Sequence, residues 1–221
     1  MTCRPCAGPT RESPVTLPAA EALARLREGN RRFAAGEGGG AGVARSRPVG
    51  PLRDQRPFAI ILGCSDSRVP AELVFDQGLG DLFVIRVAGN VVASSQMGSV
   101  EFAVARFGTR LVVVLGHSEC GAVLATLDEL QAPSEQRSRG LRSIVDRVRP
   151  AVEGLLKTDL RHNRDALVRH AVRANVGVSV SHLRHGSELL EGLIEHDGLM
   201  VVGAEYSLET GVVEFFEETR D

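Results

Sequence analysis

Three short apolar runs punctuate the middle of the chain: residues 58–62 (FAIIL), 82–86 (LFVIR) and 111–115 (LVVVL). Each is about five residues long, rich in β-branched side chains and continuous rather than alternating, with a polar residue only at the end of the second (Arg86). Each leads into a polar or Gly-containing turn. Runs that are apolar throughout, rather than alternating, predict strands buried on both faces, as in a parallel sheet. Between them the pattern turns helical at about 70–76 and 96–107, and again at 120–130. Strands alternating with helices predict an α/β fold with right-handed crossovers. Before the first strand, residues 18–33 place Ala19, Leu23 and Leu26 on one stripe, with Arg25, Glu28 and Arg32 elsewhere, and Pro18 suits a first-turn position.

Beyond the third strand, residues 139–196 read as long helices. Ile144, Val148, Val152 and Leu155 recur at helical spacing, as do Leu167, Val168, Ala171, Val172, Val176 and Val180. Residues 199–206 (LMVVGAEY) and 212–216, joined through Glu209, Thr210 and Gly211, predict a hairpin at the edge of the sheet. Residues 1–17 read as a mobile tail, 18–50 as a helical arm and linker, and 51–221 as the α/β domain. The Gly36–Gly42 run (GEGGGAG) is a linker, not a phosphate loop, because no strand precedes it and no Gly-Lys-Ser/Thr follows.

Composition narrows the function classes. The 221 residues are 43% hydrophobic and 24% charged, ordinary proportions for one globular domain with appendages. A net charge of −2 argues against a nucleic-acid protein. No apolar run approaches the roughly 20 residues that span a bilayer. The first 15 residues have no apolar stretch of the signal-peptide kind, so a cytoplasmic setting is expected. Of 26 basic residues all but Lys157 are Arg, read as coding bias rather than anion recognition. Four Cys in a chain of this length suggest metal, catalysis or chance rather than a disulfide scaffold.

Placement decides between these. The first run ends in Gly63-Cys64-Ser65-Asp66-Ser67-Arg68, and the third in Gly116-His117-Ser118-Glu119-Cys120-Gly121. Sites in open α/β sheets form beyond the carboxyl ends of strands, at the topological switch point. His117 and Cys120 can grip one ion from a strand-to-helix turn, with Cys64 from the neighbouring strand as third ligand. Two Cys and one His suit Zn²⁺ and leave a fourth position open for an activated water. Two thiolates make that water less acidic than an all-His set would, so activity is expected to favour mildly alkaline pH. Arg68 can hold the Asp66 carboxylate with two hydrogen bonds and keep it ionised. Held, Asp66 can accept a proton from the activated water and orient it; released, it can ligate the metal instead. The same three donors also admit a structural zinc site or a metal-free thiol site.

Cys3-x-x-Cys6 lacks a second pair or a nearby His and is read as part of the tail. Glu119 reads as a solvated turn residue rather than a proton shuttle. His162, His170, His182, His185 and His196 read as solvated helix positions, and the acidic end (Glu214, Glu217, Glu218, Asp221) as a solvated strand and tail.

Cys-Ser-Asp-Ser-Arg at 64–68, Phe75-Asp76-Gln77-Gly78, Arg86-Val87-Ala88-Gly89-Asn90 and His117-x-x-Cys120-Gly121 stand in an order that resembles a β-class carbonic anhydrase. Gly29-Asn30-x-x-Phe33, Gly203-Ala204-x-Tyr206 and Thr210-Gly211 extend the resemblance over nearly the whole chain. It implies interconversion of CO₂ and bicarbonate by a zinc-bound hydroxide, one zinc per chain. By position it implies Cys64, His117 and Cys120 as ligands, Asp66 as a fourth ligand in a closed form, and Asp66 with Arg68 as the catalytic dyad. Gln55, Phe83, Ala88, Phe102 and Gly121 then fall at substrate-binding positions. The resemblance further implies a homodimer or higher even assembly, with the first helix packing on the partner and pockets lined from both protomers. Absence of Trp weakens a regulatory bicarbonate site of the kind some relatives carry. Two rivals remain: a hydrolase of carbon disulfide or carbonyl sulfide using the same site, and a zinc-stabilised regulatory or binding protein without turnover. The Asp66–Arg68 pair speaks against the second.

Overall fold

The computed structural model describes residues 17–37, 55–132 and 138–216. The expected tail with Cys3 and Cys6, most of the Gly-rich linker, and Glu217, Glu218 and Asp221 lie outside the described residues.

All three apolar runs are strands. β1 (Ala59–Gly63), β2 (Leu82–Arg86) and β3 (Leu111–His117) join β4 (Met200–Tyr206) and β5 (Val213–Phe215) in one five-stranded sheet ordered β2-β1-β3-β4-β5. The first four strands are parallel and β5 is the antiparallel edge of the expected hairpin. β1 and β3 are buried at every position, which is why their sequences do not alternate. The side chains still alternate between faces. Ile61, Val113 and Leu115 point into one apolar cluster, whereas Ile60, Leu62, Val112 and Val114 point into another.

The first face is covered by α1 (Ala19–Ala34) and α2 (Ala71–Val74), and the second by α3 (Ser94–Phe107), α6 (Arg164–His185) and α7 (Glu188–His196). α4 (Gly121–Gln131) and α5 (Arg139–Val152) pack with α6 around a third cluster that includes Cys64 and Cys120. The helix expected over 70–76 shrinks to four residues. Pro70 precedes it without a helical conformation, and Asp76 closes it in the left-handed region at φ 47°.

In this single chain α1 seats on its own sheet, through residues the motif singles out. Asn30 Nδ2 donates to the carbonyls of Val74 (3.1 Å) and Gly211 (2.9 Å), and Asn30 Oδ1 accepts from the Val213 amide at 2.8 Å. One buried side chain thereby joins α1, α2 and the β4–β5 hairpin. Gly29 is required because a Cβ there would lie 1.9 Å from the Phe75 carbonyl oxygen.

Running outward from β1, the chain goes to β2 on one side, and β3 starts the other side. The switch point therefore falls between the carboxyl ends of β1 and β3, where a crevice opens in such sheets.

Candidate metal centre

Cys64 follows β1 immediately, His117 is the last residue of β3, and Cys120 immediately precedes α4. Register pairs Gly63 with Leu115, so the two strands end side by side and bring residues 53 positions apart into one site. All three are buried, and their donor atoms lie within 4.8 Å of one another. Cys64 and Cys120 are free thiols.

The His117 ring is oriented by its backbone neighbour. Nδ1 lies 2.8 Å from the Ser118 carbonyl, to which it can only donate. That fixes the neutral tautomer in which Nε2 carries the lone pair. Nε2 is buried and has no hydrogen-bond partner among the described residues. A buried polar atom in that condition is costly unless something coordinates it. Two sulfurs and an imidazole nitrogen are the donor set that a tetrahedral zinc takes, with a fourth position free. The residues therefore fit a zinc ion.

The thiols share a proton. Cys120 donates toward Cys64, and the amides of Gly89 and Asp66 add to that; the Cys64 thiol is pulled down to about 4. Cys120, facing the Cys64 sulfur and buried, is pushed well above the ordinary thiol range. Burial depresses the His117 imidazolium, but the Cys64 sulfur, the Ser118 carbonyl and Asp66 outweigh it and hold its pKa above the usual value.

Asp66 is the held carboxylate anticipated from the sequence. Arg68 Nε donates to Oδ1 at 2.9 Å and Nη2 to Oδ2 at 2.8 Å, while the Arg68 amide donates to Oδ1 at 3.0 Å. The guanidinium above all holds Asp66 far below the usual carboxylate range. Its Oδ2 stands 3.9 Å from His117 Nε2, at the rim of the donor group rather than within it. Glu119 is exposed, in the left-handed region at φ 55°, as the turn between His117 and Cys120 requires. His162, His170, His182, His185 and His196 are all exposed.

The remaining expected positions divide. Gly121 borders open space at the first turn of α4: a Cβ there would meet nothing within 4 Å. Ala88 is exposed on the one-turn 3₁₀ segment Ala88–Asn90 after β2. Gln55 precedes β1 and lies beside Gly80, at the opposite end of the strand from Cys64. Phe83 sits in the amino-terminal half of β2 and stacks with Phe102 (centroids 6.2 Å) and Phe107 (5.9 Å). Phe102 is 54% exposed. Within one chain, Gln55, Phe83 and Phe102 are thus not gathered at the ligand loops.

Sequence reasoning gave Arg86 no role. Its Nε donates to the Cys64 carbonyl at 3.0 Å and its Nη2 to the Asp66 carbonyl at 2.6 Å, tying the ligand loop to the end of β2. Ser118 ties the turn after β3 to the end of β4: its amide donates to the Tyr206 carbonyl, and its Oγ accepts from the Leu208 amide, both at 2.9 Å.

The family model described as carbonic anhydrase matches residues 59–213. Carbonic anhydrase 2 of Mycobacterium tuberculosis is 39% identical over 203 residues, covering 90% of this chain and 92% of that protein. Among solved structures, a β-carbonic anhydrase of Aspergillus fumigatus aligns at 27% identity and TM-score 0.65, covering 90% of each chain. A structure from Sordaria macrospora, described as one of two tetrameric β-carbonic anhydrases, aligns at 25% identity and TM-score 0.65, covering 75% of this chain and 83% of that one.

Proposed function

The chain belongs to the β-class carbonic anhydrase family, whose reaction is the reversible hydration of CO₂, and from that premise we propose that it carries out this reaction at Cys64, His117 and Cys120 with one zinc ion per chain. The observation that carries the site assignment is the convergence of two buried sulfurs and an unpartnered imidazole nitrogen beside an arginine-held carboxylate. Bound zinc supplies activation of a water as nucleophile near neutral pH.

This chain's own residues do the rest. The Ser118 carbonyl orients His117, which with Cys64 and Cys120 presents the three donors. Asp66, kept ionised by Arg68, offers Oδ2 as acceptor for a proton of the attacking water and so turns its lone pair toward CO₂. Arg68 keeps Asp66 from swinging inward to become a fourth ligand. Arg86 holds the Cys64 and Asp66 backbone so that ligand and acceptor keep one spacing. Gly121, lacking a side chain, leaves the approach open for substrate.

Gln55, Phe83, Ala88 and Phe102 are assigned to substrate binding in a homodimer or higher even assembly. There the aromatic cluster beside β2 lines a partner's pocket. The tetrameric relative supports this reading, as does β2 itself, the edge strand of the sheet, with one side unpaired among the described residues. The reaction is assigned to the cytoplasm, where thiols such as Cys64 and Cys120 stay reduced. No helix among the described residues is long and apolar enough to cross a membrane.

The test is metal content measured alongside stopped-flow CO₂ hydration. One zinc per chain is expected in the wild type, and Cys64→Ser, His117→Ala and Cys120→Ser should each lose zinc and hydration together. Full hydration by a metal-free variant would overturn the site.

A further inference from the structure

Helix α6 reaches under the metal centre without supplying a ligand. Its inner face is apolar, with Leu167, Val168, Val172, Val176 and Leu183 buried, yet Asn175 and Ser179 are buried on it too, at 1% and 2% exposure. Four residues apart, they share one helix face. Apolar residues at these positions would extend the stripe, and a buried amide or hydroxyl is costly unless bonded.

Both are bonded to the same short turn. Asn175 Nδ2 donates to the Gly89 carbonyl at 2.8 Å, and Ser179 Oγ donates to the Asn90 carbonyl at 2.9 Å. Gly89 (φ 70°) and Asn90 (φ 44°) are consecutive left-handed residues. Glycine adopts that conformation freely, but Asn90 does so against the crowding of its Cβ. Its own Nδ2 has no hydrogen-bond partner among the described residues, so its side-chain amide donates nothing to hold the turn. The turn in this shape directs the Gly89 amide at Cys64 Sγ, 3.4 Å away.

We infer that Asn175 and Ser179 are positioning residues for the Cys64 ligand: from α6 they clasp two consecutive carbonyls and so aim a backbone amide at the sulfur. The inference rests on the metal-centre reading above. An N–H donated to a ligating thiolate withdraws charge from it, fixes its orientation and leaves the metal more electrophilic. That offsets part of the donation from two sulfurs. Two residues some 90 positions downstream of the turn thereby tune a ligand they never touch.

The experiment compares Asn175→Leu, which keeps the shape of the side chain but removes its donor, with Ser179→Ala, which removes one oxygen. Leu183→Ala serves as control, trimming α6 packing away from the turn. Thermal melts establish folding; zinc affinity is measured by chelator competition with zinc alone; and cobalt(II) substitution reads the thiolate-to-metal charge-transfer band. The expected result is folded Asn175→Leu and Ser179→Ala proteins that bind zinc about tenfold more weakly and show a displaced cobalt band. Leu183→Ala should melt earlier with the band unmoved. Variants with wild-type zinc affinity and band, or a Leu183→Ala band displaced equally, would overturn the inference. Should Asn175→Leu not fold, Ser179→Ala decides it. A wild-type protein that takes up neither zinc nor cobalt would instead overturn the metal centre itself.

Discussion

Asp66 is the residue whose substitution should separate metal binding from turnover. Asp66→Asn keeps the size of the side chain and leaves Cys64, His117 and Cys120 untouched, but it removes the acceptor that Arg68 holds ionised. Zinc content should stay at wild-type level while the hydration rate falls about a hundredfold, the lower range for losing a positioned proton acceptor. Stopped-flow rates beside metal analysis check this, and wild-type rates would remove Asp66 from its role. The thiols make a second prediction. Cys64 is pulled below the ordinary thiol range and Cys120, facing its sulfur and buried, is pushed above it, so the metal-free pair keeps a proton between its two sulfurs near neutral pH. Zinc needs both as thiolates. Binding at pH 7 should therefore release at least one proton per zinc, and affinity should fall as pH falls. Calorimetry in buffers of different ionisation enthalpy measures that number, and a value of zero would contradict the shared proton. At this scale much was legible from types and spacing: three donors at two strand ends, and an Asp–Arg pair two residues apart. Arg86, Asn175 and Ser179 were not. Their function lies in carbonyls they reach through space, and a carbonyl has no letter in a sequence.

Elements were legible where burial is complete. β1 and β3 fall within one or two residues of their apolar runs, because a strand covered on both faces has no polar position to blur the signal; β2, at the edge and only half-buried, still matches its run because four of its five residues are apolar. The short α2 was over-read, since its pattern continues past the point where Asp76 turns left-handed. The docking of α1 was the least visible, depending as it does on one polar side chain rather than on the apolar stripe. Asn30→Leu should show what that side chain contributes. It leaves the Val74 and Gly211 carbonyls and the Val213 amide without their partner, a loss of about 3 kcal/mol. Denaturant unfolding of the wild type and variant at equal concentration gives the figure. A change below the error of that measurement would mean that water replaces all three bonds.

At the scale of the whole molecule, the single chain assembles the three candidate metal donors and the Asp66–Arg68 pair but leaves Gln55, Phe83 and Phe102 away from them. A proposed second copy meeting the free side of β2 would supply a pocket wall. Phe102→Glu puts charge on the exposed ring of the aromatic cluster, so it should shift the population toward monomer and reduce hydration while zinc stays bound. Sedimentation or light scattering with metal analysis checks this; a fully active monomer would contradict a shared pocket. The sequence carried the parallel sheet, through its alternating elements, and the two reactive strand ends; the order β2-β1-β3-β4-β5, which puts those ends side by side, had to come from the structure, because alternation and crossover handedness leave strand order open. The sequence could not show which wall a partner supplies, since surface aromatics read alike whether solvent or another chain covers them. The Asn30 bonds have a kinetic side as well. Asn30 and Val213 are 183 positions apart, and at ribosomal speeds that interval is on the order of ten to forty seconds. For that time α1 has left the ribosome with Ala22 and Leu26 in place on its inner face, while the hairpin that locks it has yet to be made. The first helix among the described residues is thus fastened only once residue 213 has been made, and until then its apolar face is open to a chaperone or a neighbouring nascent chain.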